Sequence, residues 1–400
     1  MTIAEIESTP ELLVAQELEE AARFLDVEPW IVQRLHQPER EVHLNLQIKG
    51  DDGRPLMLKA VRVQHSSVRG PSMGPIIFSK TMSVADVRAL AMRLTWRWAL
   101  WEMPFGGAAG MVSADVNDLS ESELKSVVAA YVQALRGTIG YDADVLTPSE
   151  TLPSQVMAWA LAAMGTHRGA MASVTGKPSA LQGIGRHEIA GKFVRDLIRT
   201  ALRDQGEDLI GKKVVVVGFD AQAQAVAAEL QMAGANVIAV ADSSGAVLRH
   251  AGLNVEMLRN HVAKEGVVFG FNEGDSVTFD AMVKDACDVL ILADGEELVL
   301  RPNTRWVVEE RGIMSTENAG HAAVIPHVLA GFGTGFADFL EWRKSACGTL
   351  TDLDTVREMR AHVRHTWKEV NTYARAQQMS WKDAAVIIGM GRVANAMRSL

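Results

Sequence analysis

Between residues 41 and 49 every second position is apolar: Val42, Leu44, Leu46 and Ile48. That period of two predicts a strand with one face turned inward. Gly50-Asp51-Asp52-Gly53 supplies turn residues, and Leu56, Leu58 and Val61 to Val63 resume the pattern, so the pair reads as a hairpin. Ahead of it, Thr9-Pro10-Glu11 has the form of a helix start, with a capping hydroxyl, a first-turn proline and an acid near the positive helix end. Leu12, Leu13, Ala21, Phe24 and Leu25 are expected to share that helix's buried face.

Helical spacing takes over from Val84 to Trp101 and again from Glu121 to Leu135, where Ser120 followed by Glu123 makes a capping-box pattern. Thr151 to Met164 and His187 to Arg203 read as further helices. At Gly211 the texture changes. KKVVVVGF, NVIAVADSSG, CDVLILADG and TRWVVEE are short apolar runs, and AQAQAVAAELQMAGA between the first two is helix-like. Strand, helix and strand at this spacing predict βαβ units around a parallel sheet. Residues 195–340 are therefore expected to form a doubly wound α/β domain, with 1–194 and 341–400 forming the other. PFGGAAGM, residues 104–111, reads as a glycine-rich loop built for close approach of other groups to its backbone.

Composition narrows the classes of function. The net charge is −9 and no Lys/Arg block exceeds two residues, which argues against nucleic acid as a partner. Two cysteines, Cys287 and Cys347, make neither a disulfide framework nor a four-ligand zinc site. His362 and His365 lie one helical turn apart without a visible third ligand, so no metal is expected. No 18-residue window is apolar throughout, and MTIAEIESTPELL lacks the basic and apolar parts of a signal segment. A soluble, cytoplasmic protein away from membranes is expected.

GPSMGPIIF, LTWRWALWEMPFGGAAG, QVMAWALAAM, VTGKPSALQGIGRHEIAGKFV, VVGFDAQAQ with VADSSG, CDVLILA, VIPHVLAGFGTGFADFLEW and RVANAMRSL occur in this order. The series resembles the glutamate/leucine/phenylalanine/valine dehydrogenases, glutamate dehydrogenases most of all, from about residue 40 to 400. The resemblance implies an N-terminal α/β substrate and oligomerisation domain to which C-terminal helices return, and a Rossmann-like domain for NAD or NADP. It also implies oxidative deamination in the cleft between them and a hexameric assembly.

The reactive positions of that family are altered here. Its loop reads PFGGAKGG, and the catalytic lysine is Ala109 in this chain. Its proton-shuttling aspartate in PAPD is Ser149, with Glu150 beside it. Its GPxKGGxR lysine and arginine are Met73 and Ile77, while the lysine of MTWKNA is Arg97, which keeps a positive charge. The serine of SYFEW is Asp338, the threonine of ATGRGV is Ala190, and the asparagine of EGANGPTT is Gly312. GxGxxG is reduced to Gly218, with Asp220 where a diphosphate would sit and Ala223 at the last glycine. Asp242 is either the ribose-binding acid or a strand-end turn residue. By contrast Trp96, Gln155, Met157, Trp159, Gly176, Pro178, Pro326, Glu341 and Trp342, which read as packing, match the family. Trp96, Trp98 and Trp101 on one helix read as core or, alternatively, as an aromatic pocket lined by Met73, Ile77 and Ala109.

One acid/base group is worth roughly 10²–10⁴ in rate, so losing two of them and a carboxylate clamp removes physiological turnover. The expectation is a catalytically degenerate glutamate dehydrogenase homologue. It would act as a regulatory or ligand-sensing subunit beside an active paralogue, with a small molecule in its altered cleft and no dinucleotide cofactor. An active dehydrogenase using Glu150, Arg97 and Lys192, and a structural homo-oligomer, are the alternatives.

Overall fold

The computed structural model describes residues 10–150, 152–165, 169–294, 297–298, 303–311, 313–314, 320–348 and 351–399. Tertiary contacts divide the chain into two units: residues 1–185 with 338–350 and 386–400, and residues 186–337 with 351–385.

In the first unit, helices α1 (Pro10–Phe24) and α2 (Pro29–Leu35) precede the expected hairpin of β1 (Arg40–Lys49) and β2 (Pro55–Gln64), paired with Leu46 opposite Leu58. Strands β3 (Ser72–Phe78), β4 (Gly106–Val112) and β5 (Asp144–Pro148) complete a sheet of order β1-β2-β4-β3-β5. Helix α3 (Val84–Leu100), started by a Ser83/Asp86 capping box, covers one face over Val61, Val63, Ala109 and Met111. Helices α4 (Glu121–Ala134), capped by Ser120 and Glu123 as the sequence predicts, and α5 (Ser154–Met164) cover the other over Leu46, Ile76, Val112 and Leu146.

Two expectations change. PFGGAAGM is a loop only in its first two residues; from Gly106 it is the central strand β4, buried throughout. Its glycines do mark close approach, but the approaching group is the chain's own backbone. A Cβ on Gly107 would lie 2.0 Å from the Ala91 carbonyl oxygen, and one on Gly106 would lie 1.5 Å from that of Ser66. Helix α1 also turns a different face inward. Val14, Leu18, Ala21 and Ala22 are buried while Leu12, Leu13 and Phe24 stay exposed. The helix packs on α3, where Glu17 lies 3.6 Å from Arg93 and Glu11 lies 3.7 Å from Arg88.

Two buried polar groups tie this sheet together. Arg62 and Asp144 are wholly buried, with Arg62 Nε donating to Asp144 Oδ2 at 2.9 Å and Nη1 to the Pro75 carbonyl at 2.9 Å. One pair thereby links β2, β3 and β5. His65 Nε2 donates to the Leu35 carbonyl at 2.8 Å, which leaves Nδ1 to accept the Thr95 hydroxyl at 2.8 Å. Thr95 Oγ1 in turn accepts the Gly107 N–H at 3.0 Å. Burial holds the His65 pKa down at about 4, so the ring is neutral at pH 7.

The second unit opens with α6 (Arg186–Asp204), β6 (Lys213–Val217), α7 (Ala221–Met232) and β7 (Asn236–Asp242). β8 (Gly245–Leu248), α8 (Val255–Glu265), β9 (Asp275–Val277), β10 (Cys287–Leu292) and strands Thr304–Glu309 and Ala323–Ile325 follow. From Ala323–Ile325 the sheet runs through Thr304–Glu309, β10, β6 and β7, all parallel, and ends in antiparallel β8 and β9. Chain order reverses between β6 and β10, the switch point at which such sheets open a ligand crevice. Helix Asp352–Gln377 lies on α6, with Arg360 Nε donating to Asp196 Oδ2 at 3.1 Å and Trp367 Nε1 to Asp204 Oδ2 at 2.8 Å. The return to the first unit is made by residues 338–350 and 386–400. No described helix is long and apolar enough to cross a membrane.

Candidate functional site

Parallel pairing of β3 with β4 and β5 gathers the substrate-type positions. Met73 sits opposite Gly107, Ile77 opposite Met111, and Ile76 opposite Pro148. Ser149 follows directly, its N–H donating to the Ile76 carbonyl at 3.3 Å. Strand alternation puts Met73, Ile77 and Ala109 on the face that α3 covers. Met73 and Ala109 have no exposed surface, whereas Ile77, Ser149, Glu150 and Arg97, in the last turn of α3, are half-buried. Asp338 is buried and accepts the Thr175 hydroxyl at 2.8 Å. Ala109 packs in an apolar cluster with Val61, Val63, Val87, Ala91 and Met111, and its own methyl group can neither polarise a carbonyl nor hold a water.

The three tryptophans of α3 and its end are buried and packed. Trp98 donates Nε1 to the Met73 carbonyl at 3.2 Å and lies 5.2 Å from the Phe105 ring, and Trp96 meets His65 edge-on at 5.5 Å. They serve as core. A pair the sequence reading missed lies close to Asp338 in the chain. Lys177 Nζ is 2.7 Å from Glu341 Oε1, both side chains are nearly without exposure, and the Lys177 N–H donates to the same oxygen. Burial pushes the Glu341 carboxyl above its ordinary value against the pull of Lys177. The signal was available: a lysine in TGKP, between apolar VTG and a proline, has little room to reach water.

In the second unit, Gly218 ends β6 at φ +90° and a Cβ there would lie 2.6 Å from the Asp294 backbone nitrogen, so this tight turn requires glycine. Asp220 caps α7, its Oδ1 accepting the N–H groups of Gln222 at 3.1 Å and Ala223 at 3.0 Å. Its Oδ2 lies 2.6 Å from Arg311 Nη1, so the carboxylate is paired with a cation rather than standing alone. Glu310, wholly buried, accepts the Gln222 side-chain amide. Gln222 is itself 1% exposed, and its Oε1 has no partner. At the end of β7, Asp242 Oδ1 accepts the Ser244 N–H at 2.8 Å and Oδ2 the Val268 N–H at 2.9 Å, so it orders its own turn. Burial and the neighbouring Arg186 lower the pKa of His187, whose Nδ1 is buried without a partner.

Ala190 is buried where Gly333 packs against it, a Cβ on Gly333 falling 2.8 Å from Ala190 Cα. Lys192 is half-buried on α6, and Gly312 lies outside the described residues. His362 is 3.9 Å from Glu358, and among the described residues no group of three His, Cys, Asp or Glu is placed to hold a metal.

Residues 38–166 match the Glu/Leu/Phe/Val dehydrogenase dimerisation domain, and residues 183–400 match the glutamate/leucine/phenylalanine/valine dehydrogenase domain. The NAD-specific glutamate dehydrogenase A of Halobacterium salinarum is 28% identical over 396 residues, 95% of this chain and 91% of that one. The hetero-hexameric glutamate dehydrogenase of Thermus thermophilus, solved in a leucine-bound form, superposes with a TM-score of 0.89 at 28% identity over 99% of this chain and 98% of that one. Glutamate dehydrogenase from Peptoniphilus asaccharolyticus shares the fold, at TM-score 0.85, 22% identity and 98% and 99% coverage.

These findings overturn the expectation of no cofactor, because the family and its named relatives are dehydrogenases, one of them NAD-specific. Of a dinucleotide-binding turn the β6–α7 connection keeps the glycine turn at a switch point, while the Asp220 carboxylate occupies the Gln222 and Ala223 N–H groups at the helix start. When bound, the nicotinamide supplies hydride transfer. Asp220 does not stand alone, since Arg311 lies against it, although the same guanidinium also contacts the buried Glu310. The chain belongs to the glutamate/leucine/phenylalanine/valine dehydrogenase family.

Proposed function

We propose that this chain is a glutamate dehydrogenase-type subunit that does not itself turn glutamate over, and that works by assembling with an active relative and binding a small metabolite. The observation that carries the reading is Ala109: at the family's lysine position stands a methyl group without exposed surface, walled by valines, alanine and methionine. A lysine that activates water needs a polar, substrate-facing setting, and neither the residue nor its surroundings supply one. Met73, wholly buried with apolar Ile77 on the same strand, extends the argument to the carboxylate clamp. The Thermus relative is a hetero-hexamer with leucine bound, which supports both the mixed assembly and the metabolite.

The test is an assay of the purified chain with glutamate and NAD or NADP, alone and after co-expression with a motif-complete glutamate dehydrogenase from the same source. The chain alone is expected to stay at background. In the co-expressed complex it is expected to co-purify and to change the partner's response to amino acids. Saturable turnover by the purified chain alone would sink the proposal.

A further inference from the structure

A pocket of about 760 Å³ opens in the first unit between α2, the loop that follows β2 and the end of helix Trp381–Arg398. Its volume suits a small molecule, and it uses none of the positions described above. Helix α2 buries Ile31 and Leu35, which leaves Trp30, Gln33 and Arg34 to face the pocket. Trp30 is 54% exposed and forms an apolar wall with half-buried Val68 and buried Met397. The polar side carries one charge of each sign. Glu39 Oε2 accepts the Ser67 N–H at 3.0 Å and the Ser67 hydroxyl at 2.6 Å, so the loop holds this carboxylate in place. The other oxygen, Oε1, lies 3.8 Å from Arg34 Nη2, beyond hydrogen-bond range. The Arg34 side chain is 57% exposed, and among the described residues its guanidinium donates to no acceptor.

We infer that this pocket binds a free α-amino acid with a large apolar side chain. Such a molecule carries an ammonium and a carboxylate on one carbon, and Glu39 and Arg34 offer a counter-charge to each, side by side. The carboxylate takes two guanidinium N–H groups, the geometry for which arginine is shaped. The ammonium donates to Glu39 Oε1, the oxygen that Ser67 leaves open. The side chain lies along Trp30, Val68 and Met397. Other classes fit less well. A simple anion is opposed by Glu39 and a simple cation by Arg34, and a charged side chain would meet a lining with no third charge. The protein pair does not compete, because an exposed ion pair at this distance is held weakly. The role of this pocket as the metabolite site of the proposed function rests on that reading; the binding itself does not.

Isothermal titration calorimetry of the full chain with L-phenylalanine and L-leucine tests the assignment without any turnover. Saturable binding is expected for both. N-acetyl-L-phenylalanine, without the ammonium, and L-phenylalaninamide, without the carboxylate, are expected to bind at least tenfold more weakly. Arg34→Ala removes a two-pronged charged hydrogen bond and should weaken binding roughly ten- to a hundredfold. Glu39→Gln and Trp30→Ala should each weaken it about tenfold, with circular dichroism unchanged. A parent that shows no saturable binding at tens of millimolar overturns the assignment. So does N-acetyl-L-phenylalanine bound as tightly as phenylalanine, or a Trp30→Ala protein whose assembly falls apart in sedimentation velocity while the parent binds neither amino acid, which would put a second copy in the pocket. Amino-acid binding that Arg34→Ala and Glu39→Gln leave within twofold of the parent also overturns it, and leaves the proposed function standing with its metabolite elsewhere. Glutamate turnover by the purified chain alone would do the reverse, defeating the proposed function while this pocket keeps its ligand.

Discussion

Replacing Ala109 by lysine restores the family's residue in name, and the surroundings of Ala109 say what it will do. The site has no exposed surface and is lined by Val61, Val63, Val87, Ala91 and Met111. An ammonium enclosed by such side chains loses its proton, and buried lysines titrate near pH 5–6 instead of about 10.4. At pH 7 the folded variant then holds a neutral lysine while the unfolded chain holds a charged one, a difference of about 3.4 pH units or roughly 4–5 kcal/mol. Forcing the longer stem into a packed core adds about 1–3 kcal/mol. The sum, about 5–8 kcal/mol, approaches the whole stability of an ordinary domain, about 5–15 kcal/mol.

The two contributions separate by pH. The folded pKa lies below the unfolded one, so the unfolded state binds more protons between them and stability rises with pH. The slope is about 1.4 kcal/mol per unit from roughly pH 5.5 to 10.4, above which only the packing cost remains. Urea unfolding of parent and Ala109→Lys at pH 6, 7.5 and 9 measures both contributions. A variant as stable as the parent and insensitive to pH would mean that the lysine reaches water, and the reasoning about a sealed position would be wrong. The expected result carries a corollary: restoring the lysine alone would not place a charged ammonium at this position at pH 7.

His65 gives a second pH effect. Its folded pKa of about 4 lies below the unfolded value, so stability present above pH 6.5 is lost as the pH falls toward 4, by up to about 3 kcal/mol. His65→Gln should flatten that dependence in urea unfolding between pH 7 and 5. Asp144→Asn leaves the Arg62 guanidinium buried without its counter-charge and should cost about 3–5 kcal/mol, whereas Arg62→Met with Asp144→Leu should cost markedly less, both measured as chemical-denaturation ΔΔG. Gly107→Ala, whose Cβ would overlap the Ala91 carbonyl oxygen, should give insoluble protein. Gly53→Ala, with nothing nearby but φ +83°, should lose only about 1 kcal/mol and stay soluble in the same expression trial.

What could be read ahead of the structure was local. The β1–β2 hairpin, the Ser120/Glu123 cap and the βαβ runs depend on neighbours a few residues apart, and they stand where the periodicity put them. The face of α1 could not be read the same way. Leu12, Leu13 and Phe24 are as apolar as Val14 and Leu18, and only docking on α3, fixed by Arg88 and Arg93, decides between them. The same limit hid the pairs. Arg62 and Asp144 are 82 residues apart, and in a strand pattern Arg62 looks like a solvent-facing position. Asp220 taken alone reads as a lost glycine that repels phosphate. Its meaning changes once Arg311, remote in sequence, is found beside it. Motif comparison scores positions one at a time, whereas charge balance is a property of sets.

The glycines of β4 bear on motion as well as on shape. Glycine is commonly taken as slack in a chain, and a stretch such as PFGGAAGM invites the picture of a flap. With Gly106 against the Ser66 carbonyl and Gly107 against α3, no side-chain layer lies between backbone and backbone to absorb sliding. Strand and helix must shift as one piece or come apart. Any gating in this unit therefore has to be sought at its rim, while residues 106–112 act as its keel, and their amide hydrogens should exchange only when the whole sheet opens.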